Sequence, residues 1–452
     1  MGSSVQQTAA EATEQVVSAA ELAPQPRFTI RGLRWWIAGL LTCITVINYL
    51  DRTTLAVVAP TLKKSLSIDE ASYAWVVIAF QAVYGLTQPF AGRFIDWLNI
   101  RYGFAISLAW WSVAQALTGF AGGWRSLALF RGVLGVGEAG NFPGAIKTVS
   151  QWFPAKERTL ATGIINLGSG VGSLIAPPLV VFLILRYDWR AAFVATGVLG
   201  LAWVAIWLLV YRSPEEHPLL SAEELAHIRQ DDGVAVAEAP AAAGKGVWRV
   251  VLPQRNFWAL AAARFLSEPA WQLFTYWIPY YLVTQRGLDL KQVAWFAWVP
   301  FLAADLGCLF GGVLSPFFIG RGHAILKARK LAATVPSLLM MLAVFTGRAP
   351  TVGWAIFFFA IGAFSHQALS STLLTLPADL FPKRTVATAN GLSGMAGYAG
   401  GMLFTWVVGR AATTIGYGPI FTGIAFFDVI GTAILWAVLR EPGRDAAAQR
   451  RG

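Results

Sequence analysis

Apolar runs of about 20 residues, long enough to cross the hydrocarbon core of a bilayer, alternate along the chain with short polar turns. They fall near 35–58, 72–91, 104–121, 127–150, 159–183 and 190–210, then near 257–283, 292–318, 328–346, 352–376, 386–409 and 417–438. The pattern predicts an all-α integral membrane protein with 12 transmembrane helices. One long polar stretch, 211–255, divides them six and six. It opens with YRSPEEHPLLSAEEL, suited to a short amphipathic helix, and continues through the linker VAVAEAPAAAGKG. Five regions follow: a disordered tail (1–34), a six-helix bundle (35–210), a middle loop (211–255), a second six-helix bundle (256–440) and a tail (441–452).

Composition supports the same class. Of 452 residues, 56% are hydrophobic and only 13% charged, where a soluble domain carries roughly 25% charged residues. The net charge of +11 is spread in short clusters between apolar runs, with no continuous basic face, so no nucleic-acid partner is expected. Cys43 and Cys308 both lie inside apolar runs, which argues against a disulfide or a metal site. Residues 1–26 contain acids and lack an apolar centre, unlike a signal peptide. With the termini and the middle loop on one side, 22 lysines and arginines fall on that side and nine on the other. Positive charge marks the cytoplasmic face, so both termini are expected there.

The halves also repeat each other. WFPAKERTLATG (152–163) follows the fourth run and LFPKRTVATANG (380–391) the tenth. Both join an aromatic-Pro pair and a basic turn to a helix start of small residues. Parallel six-helix repeats, related by a pseudo-two-fold axis, hold substrate between the halves near the membrane midplane.

Charges inside spans are costly and usually face a protein interior or a water-filled path. Asp51 and Arg52 stand side by side in the first run. Thr45, Asn48, Tyr49 and Arg52 follow i, i+3, i+4, i+7 spacing and form one polar stripe. Asp51 points off that stripe, toward a neighbouring helix. In the fourth run Arg131 and Glu138 are two helical turns apart on one face, among Gly132, Gly135, Gly137 and Gly140, which allow close backbone approach. Arginine binds a carboxylate through a planar fork and stays charged, so Arg52 and Arg131 are candidates for holding an organic anion. The acids can change charge and so could carry a proton. Tyr84 and Gln88 share a face of the second run; Asn166 and Ser169 lie in the glycine-rich fifth. Arg264 and Glu268 are expected to pair with each other, with Trp271, Gln272 and Thr275 continuing their side and Trp271 placed to stack on a sugar ring. In the tenth run His366 and Gln367 stand one turn before Ser370 and Ser371, and Asn390 in the eleventh is a candidate hydroxyl reader. Asp305 is expected to pair with Arg264 or a helix end, and Asp428 to sit near an interface.

GRFIDWLNIR (92–101) resembles the signature G-x-x-x-D-x-x-x-x-R of the major facilitator superfamily. The resemblance implies a cytoplasmic gate at Gly92, Asp96 and Arg101. The corresponding GGVLSPFFIGRG (311–322) has Ser315 and Pro316 where the acid is expected, so that half of the gate reads as degraded. INYLDR (47–52), RGVLGVGEAGNFPG (131–144), WFPAKER (152–158), GSLIAPPL (172–179) and DWRAAF (188–193) are similar to the anion:cation symporter branch. RFLSEPAWQLFTYWIP (264–279), FAWVPFLAADLGCLFGG (296–312), FSHQALSSTLLTL (364–376) and VATANGLSGMAGY (386–398) resemble its bacterial hexuronate-carrying members. What this implies is proton-coupled import of galacturonate or glucuronate across the bacterial inner membrane. Glu138 would be the proton carrier and Asp51 a second; substrate contacts would come from Arg52, Arg131, Tyr49, Asn48, Tyr84, Trp271, Gln272, His366, Gln367, Ser370 and Asn390. No cofactor beyond the proton is expected, and the partners are a small sugar acid, protons and lipid around a monomer. An aldonate or aldarate substrate, or anion exchange, is the alternative. A sensor would need a signalling domain, and an enzyme a nucleophile, metal or phosphate motif that the sequence does not supply.

Overall fold

The computed structural model describes residues 29–230, 247–273, 286–287, 298–411 and 417–441, which form helices and turns without a strand among them. The first bundle contains α1 (Leu33–Ser65), α2 (Glu70–Leu98), α3 (Ile100–Thr118), α4 (Trp124–Glu138), α5 (Asn141–Trp152), α6 (Ala155–Arg186) and α7 (Trp189–Val210). The middle segment contributes α8 (Ala222–Arg229) and α9 (Val247–Val251). The second bundle contains α10 (Arg255–Gln272), α11 (Trp298–Gly320), α12 (Ile325–Met340) with its 3₁₀ continuation Met341–Arg348, α13 (Val352–Leu380), α14 (Val386–Ala411) and α15 (Tyr417–Val438). Each expected span has a helix in place. The expected tails 1–28 and 442–452, the linker 231–246 and the span segment 274–283 with Thr275 lie outside the described residues.

Eight of these helices are long and apolar enough to cross a membrane. Their outward faces carry large exposed apolar side chains such as Trp36, Phe182, Leu185 and Leu209, as lipid contact requires, while the helical backbone satisfies its own polar groups. Helix starts on the polar turns are capped by side chains: Asp69 accepts from the Ser72 amide at 2.8 Å and Asp188 from the Ala191 amide at 3.0 Å.

The expected fourth span is interrupted between α4 and α5. Pro143 has no amide proton, and its ring crowds the carbonyl four residues earlier, at Ala139. The glycines just before this break do what small residues allow. A methyl group at Gly135 would stand 3.0 Å from the Phe80 carbonyl oxygen of α2, and one at Gly137 would stand 2.7 Å from the Trp111 amide of α3. Glu138 is therefore held at a helix end deep in the bundle.

The two bundles meet along two antiparallel seams, α2 against α14 and α6 against α11. Each seam is lined with glycine. A methyl at Gly92 would lie 2.2 Å from the Ala387 carbonyl oxygen, and one at Gly391 2.2 Å from that of Gln88. On the other seam, a methyl at Gly163 would lie 2.5 Å from the Cys308 carbonyl oxygen. The middle segment straps the start of α1: Glu224 of α8 accepts from the Leu33 amide at 3.0 Å, and Arg34 bridges Glu224 and Glu157 at 2.8 Å each.

Candidate functional site

At the end of the molecule bearing this strap, the bundles are locked together. Asp96, at the end of α2, accepts from the Thr388 amide at 2.7 Å and its hydroxyl at 2.6 Å, capping α14 from the opposite bundle. A carboxylate at a helix N-terminus is favoured by the amide dipoles. Its counter-ion is Lys147 of α5, at 2.9 Å. Arg101 is not that partner. It sits in the first turn of α3, turned toward α7, and donates to the Leu208 carbonyl at 2.7 Å.

The second lock differs from the sequence expectation. Ser315 stands where an acid was expected, but the site is filled by Arg329 of α12, which donates to Ser315, to Thr159 and to the Ala155 carbonyl. The acid comes from α13 instead. Asp379 accepts from Arg329 at 2.7 Å and from Arg158 of the opposite bundle at 2.9 Å. The reading of a degraded half is corrected: the lock is intact, with its acid supplied by another helix.

Farther in, between the bundles, lies a cavity lined by both. The first bundle lines it with Tyr49 of α1, Tyr84 and Gln88 of α2, Phe142 of α5 and Asn166 of α6. From the second bundle come Arg264, Glu268 and Trp271 of α10; α13 and α14 add His366, Gln367, Ser370, Leu374 and Tyr398. Trp271 and His366 stack with centroids 6.1 Å apart and planes 18° apart. Asn166 donates to Gln367 across the bundles at 3.4 Å.

Of the expected substrate contacts, Tyr49, Tyr84, Trp271, His366, Gln367 and Ser370 line this cavity; Asn48, Arg52, Arg131, Gln272 and Asn390 do not. Arg52 lies behind a wall of tyrosines. Its Nε donates to Glu138 at 2.6 Å and its Nη1 to the Tyr398 hydroxyl at 3.3 Å. Its guanidinium sits 4.4 Å from the Tyr84 ring centre and 5.1 Å from that of Tyr49, contacts worth from about 0.5 to 2 kcal/mol each. Arg131 is buried and turned away, donating to Gln115 at 3.0 Å and to the Asp51 carbonyl at 3.3 Å. The Asp51 side chain is fully buried. Asn48 and Asn390 are both buried.

Several side chains expected to pair elsewhere are placed differently. Among the described residues Arg264 and Glu268 form no ion pair, and Arg264 reaches only Ser393, at 3.4 Å. The Asp305 carboxylate fills the space that a side chain at Gly170 would need, midway along the α6–α11 seam. Asp428 is buried at 1% exposure, 3.7 Å from His366. Tyr398 escaped the sequence reading. The signal for it was an isolated tyrosine in the small-residue run GLSGMAGYAGG.

Two bundles of repeated topology, sealed at one end around a central polar cavity, are the architecture of an alternating-access carrier. The sequence model of the Major Facilitator Superfamily matches residues 41–405, and the chain belongs to that family. It is a multi-pass membrane transporter, not an enzyme. It is 41% identical to the hexuronate transporter of Escherichia coli (strain K12) over 425 residues, covering 93% of this chain and 97% of that one. With the galacturonate transporter of Dickeya chrysanthemi it shares 41% identity over 315 residues, 70% of this chain and 91% of the relative. The fold is also that of a proton:xylose symporter of known structure, with a TM-score of 0.69 at 14% identity over 90% of this chain and 96% of the other.

Proposed function

We propose that the protein is a proton-coupled symporter importing a hexuronate monoanion, such as galacturonate or glucuronate, across the bacterial inner membrane. Its termini and middle segment face the cytoplasm, so the locked end is the cytoplasmic gate. The substrate class rests on the two relatives at 41% identity and on a cavity whose described lining mixes an arginine with aromatic rings and hydroxyl-reading groups. The energetics favour coupling. Importing one negative charge against an inside-negative potential costs about 2.3 kcal/mol per 100 mV, and one proton carried along cancels that cost.

The observation that carries the coupling is the Arg52 bridge. Arg52 ties Glu138 of its own bundle to Tyr398 of the other. Arginine keeps its charge, whereas Glu138 can lose its own. A proton on Glu138 removes the charge-assisted half of the bridge and so loosens the tie between the bundles. The protonation state of one buried acid thus sets whether the bundles are tied at mid-height.

The test is uptake of labelled galacturonate into proteoliposomes, with and without an inward proton gradient, for the native protein and Glu138→Gln. The expected result is gradient-driven accumulation that the variant loses while it keeps counterflow exchange. No galacturonate transport by the native protein would overturn the substrate class. Equal accumulation in both would move the coupling proton away from Glu138, with Asp51 next in line.

A further inference from the structure

We infer that Arg264 anchors the substrate's single carboxylate and that Glu268, one helical turn away, excludes a second one. This rests on the sugar-acid reading above and assigns the charged contacts within the cavity.

An anchor for a carboxylate needs a cation that faces the cavity and has donors to give. Among the described residues Arg264 is the only arginine or lysine lining the cavity. The other interior cations are committed elsewhere. Arg52 is bound to Glu138 behind the tyrosine wall, and Arg131 is spent on Gln115 and the Asp51 backbone. Lys147 pairs with Asp96, and Arg158 and Arg329 share Asp379. Arg264 has one long bond, to Ser393 at 3.4 Å, and an arginine fork carries five N–H donors. It can therefore take a carboxylate through two parallel bonds without giving up an existing ion pair.

Glu268 sets what else can enter. Residues four apart lie on the same helix face, yet no ion pair within 4.0 Å joins these two among the described residues. The Glu268 carboxylate instead lies over α14, with its Oε2 3.4 Å from where a methyl group at Gly397 would be. The cavity thus presents a cation and an anion as separate poles. A uronate laid along them places its carboxylate on Arg264 and its hydroxyls within reach of Glu268, which accepts hydrogen bonds. The stacked Trp271 and His366 rings give the flat apolar face of a sugar a surface to rest on. A six-carbon diacid of similar length would put its second carboxylate against Glu268, where like charges repel.

The test is binding in detergent at neutral pH of D-galacturonate, its methyl ester and the dianion galactarate, for the native protein, Arg264→Lys, Arg52→Lys and Glu268→Gln. Melting curves verify that each variant is folded. The native protein is expected to prefer galacturonate to both other ligands. Arg264→Lys, which keeps the charge but loses the fork, weakens galacturonate about 10- to 100-fold, the range for a charged hydrogen-bonded contact, and narrows the preference for acid over ester. Glu268→Gln closes the gap between galacturonate and galactarate by about tenfold. The ester comparison in the native protein is independent of any folding defect: equal affinity for acid and ester overturns the anchor. So does a galacturonate affinity unchanged in Arg264→Lys but lost in Arg52→Lys. A native preference for galactarate, or an unchanged gap in Glu268→Gln, overturns the filter alone. A native protein that binds none of the three sinks the sugar-acid reading itself, and this assignment with it.

Discussion

Arg52 and Glu138 put opposite charges 2.6 Å apart, with Glu138 fully buried. A buried pair gains little over apolar packing, but removing one partner leaves an uncompensated charge and costs about 3–5 kcal/mol. Arg52→Ala and Glu138→Ala should therefore each lower the melting temperature of the detergent-purified protein more than the double variant does. A double variant that melts at the sum of the two losses would show that the residues do not act as a pair. At this scale the sequence was legible within a helix and illegible between helices. The i, i+3, i+4, i+7 stripe put Tyr49 and Arg52 on one face, and both are found at the centre of the molecule. Spacing could not say that tyrosines from α1, α2 and α14 would close in front of Arg52, nor that Arg131 would be consumed by Gln115 of α3. Those outcomes depend on which side chains neighbouring helices bring, and no single helix carries that information.

At the scale of the element, the spans were legible because hydrocarbon demands long apolar runs with internally bonded backbone. The break in the fourth run was not read, although Pro143 marks it, because apolarity continues across it. The glycine seams are the second feature of this scale. Close approach of α2 and α14 depends on the absence of a side chain at Gly391, where a methyl would lie 2.2 Å from the Gln88 carbonyl oxygen. Gly391→Ala cannot be accommodated by a rotamer, since the obstacle is backbone. Only separation of the two helices relieves it. The variant should shift the protein toward the state open at the locked end. Cys308, buried on the other seam, is a native reporter: in a Cys43→Ser background its alkylation should be faster in Gly391→Ala. Unchanged labelling would mean that the seam yields without parting the bundles.

At the scale of the whole molecule, the repeated aromatic-Pro and basic-turn segments foretold two related halves, and each half does contribute a lock at the same end. The locks are not copies. The first places an acid, Asp96, on the amides of α14. The second places a cation, Arg329, at the start of α6, and one acid, Asp379, holds it together with Arg158. Sequence comparison of the halves found the missing acid at Ser315 but not its replacement, because Asp379 lies on a different helix and is reached only through the fold. The asymmetry has a mechanical consequence. Asp379→Asn leaves two arginines facing each other without a counter-ion, one of them fully buried. Parting the bundles lets water solvate both, so the open state recovers much of the roughly 3–5 kcal/mol that a broken buried pair costs. Each 1.4 kcal/mol is a factor of ten in population, so Cys308 alkylation should rise at least about tenfold. Asp96→Asn should act more weakly, because the amide oxygen can still accept from Thr388 and Lys147 keeps its bond to the Ile95 carbonyl at 3.2 Å. If the two variants label alike, the locks share the closing energy evenly. If only Asp96→Asn labels faster, the arginine cluster is packing and the single acid that caps α14 is the gate.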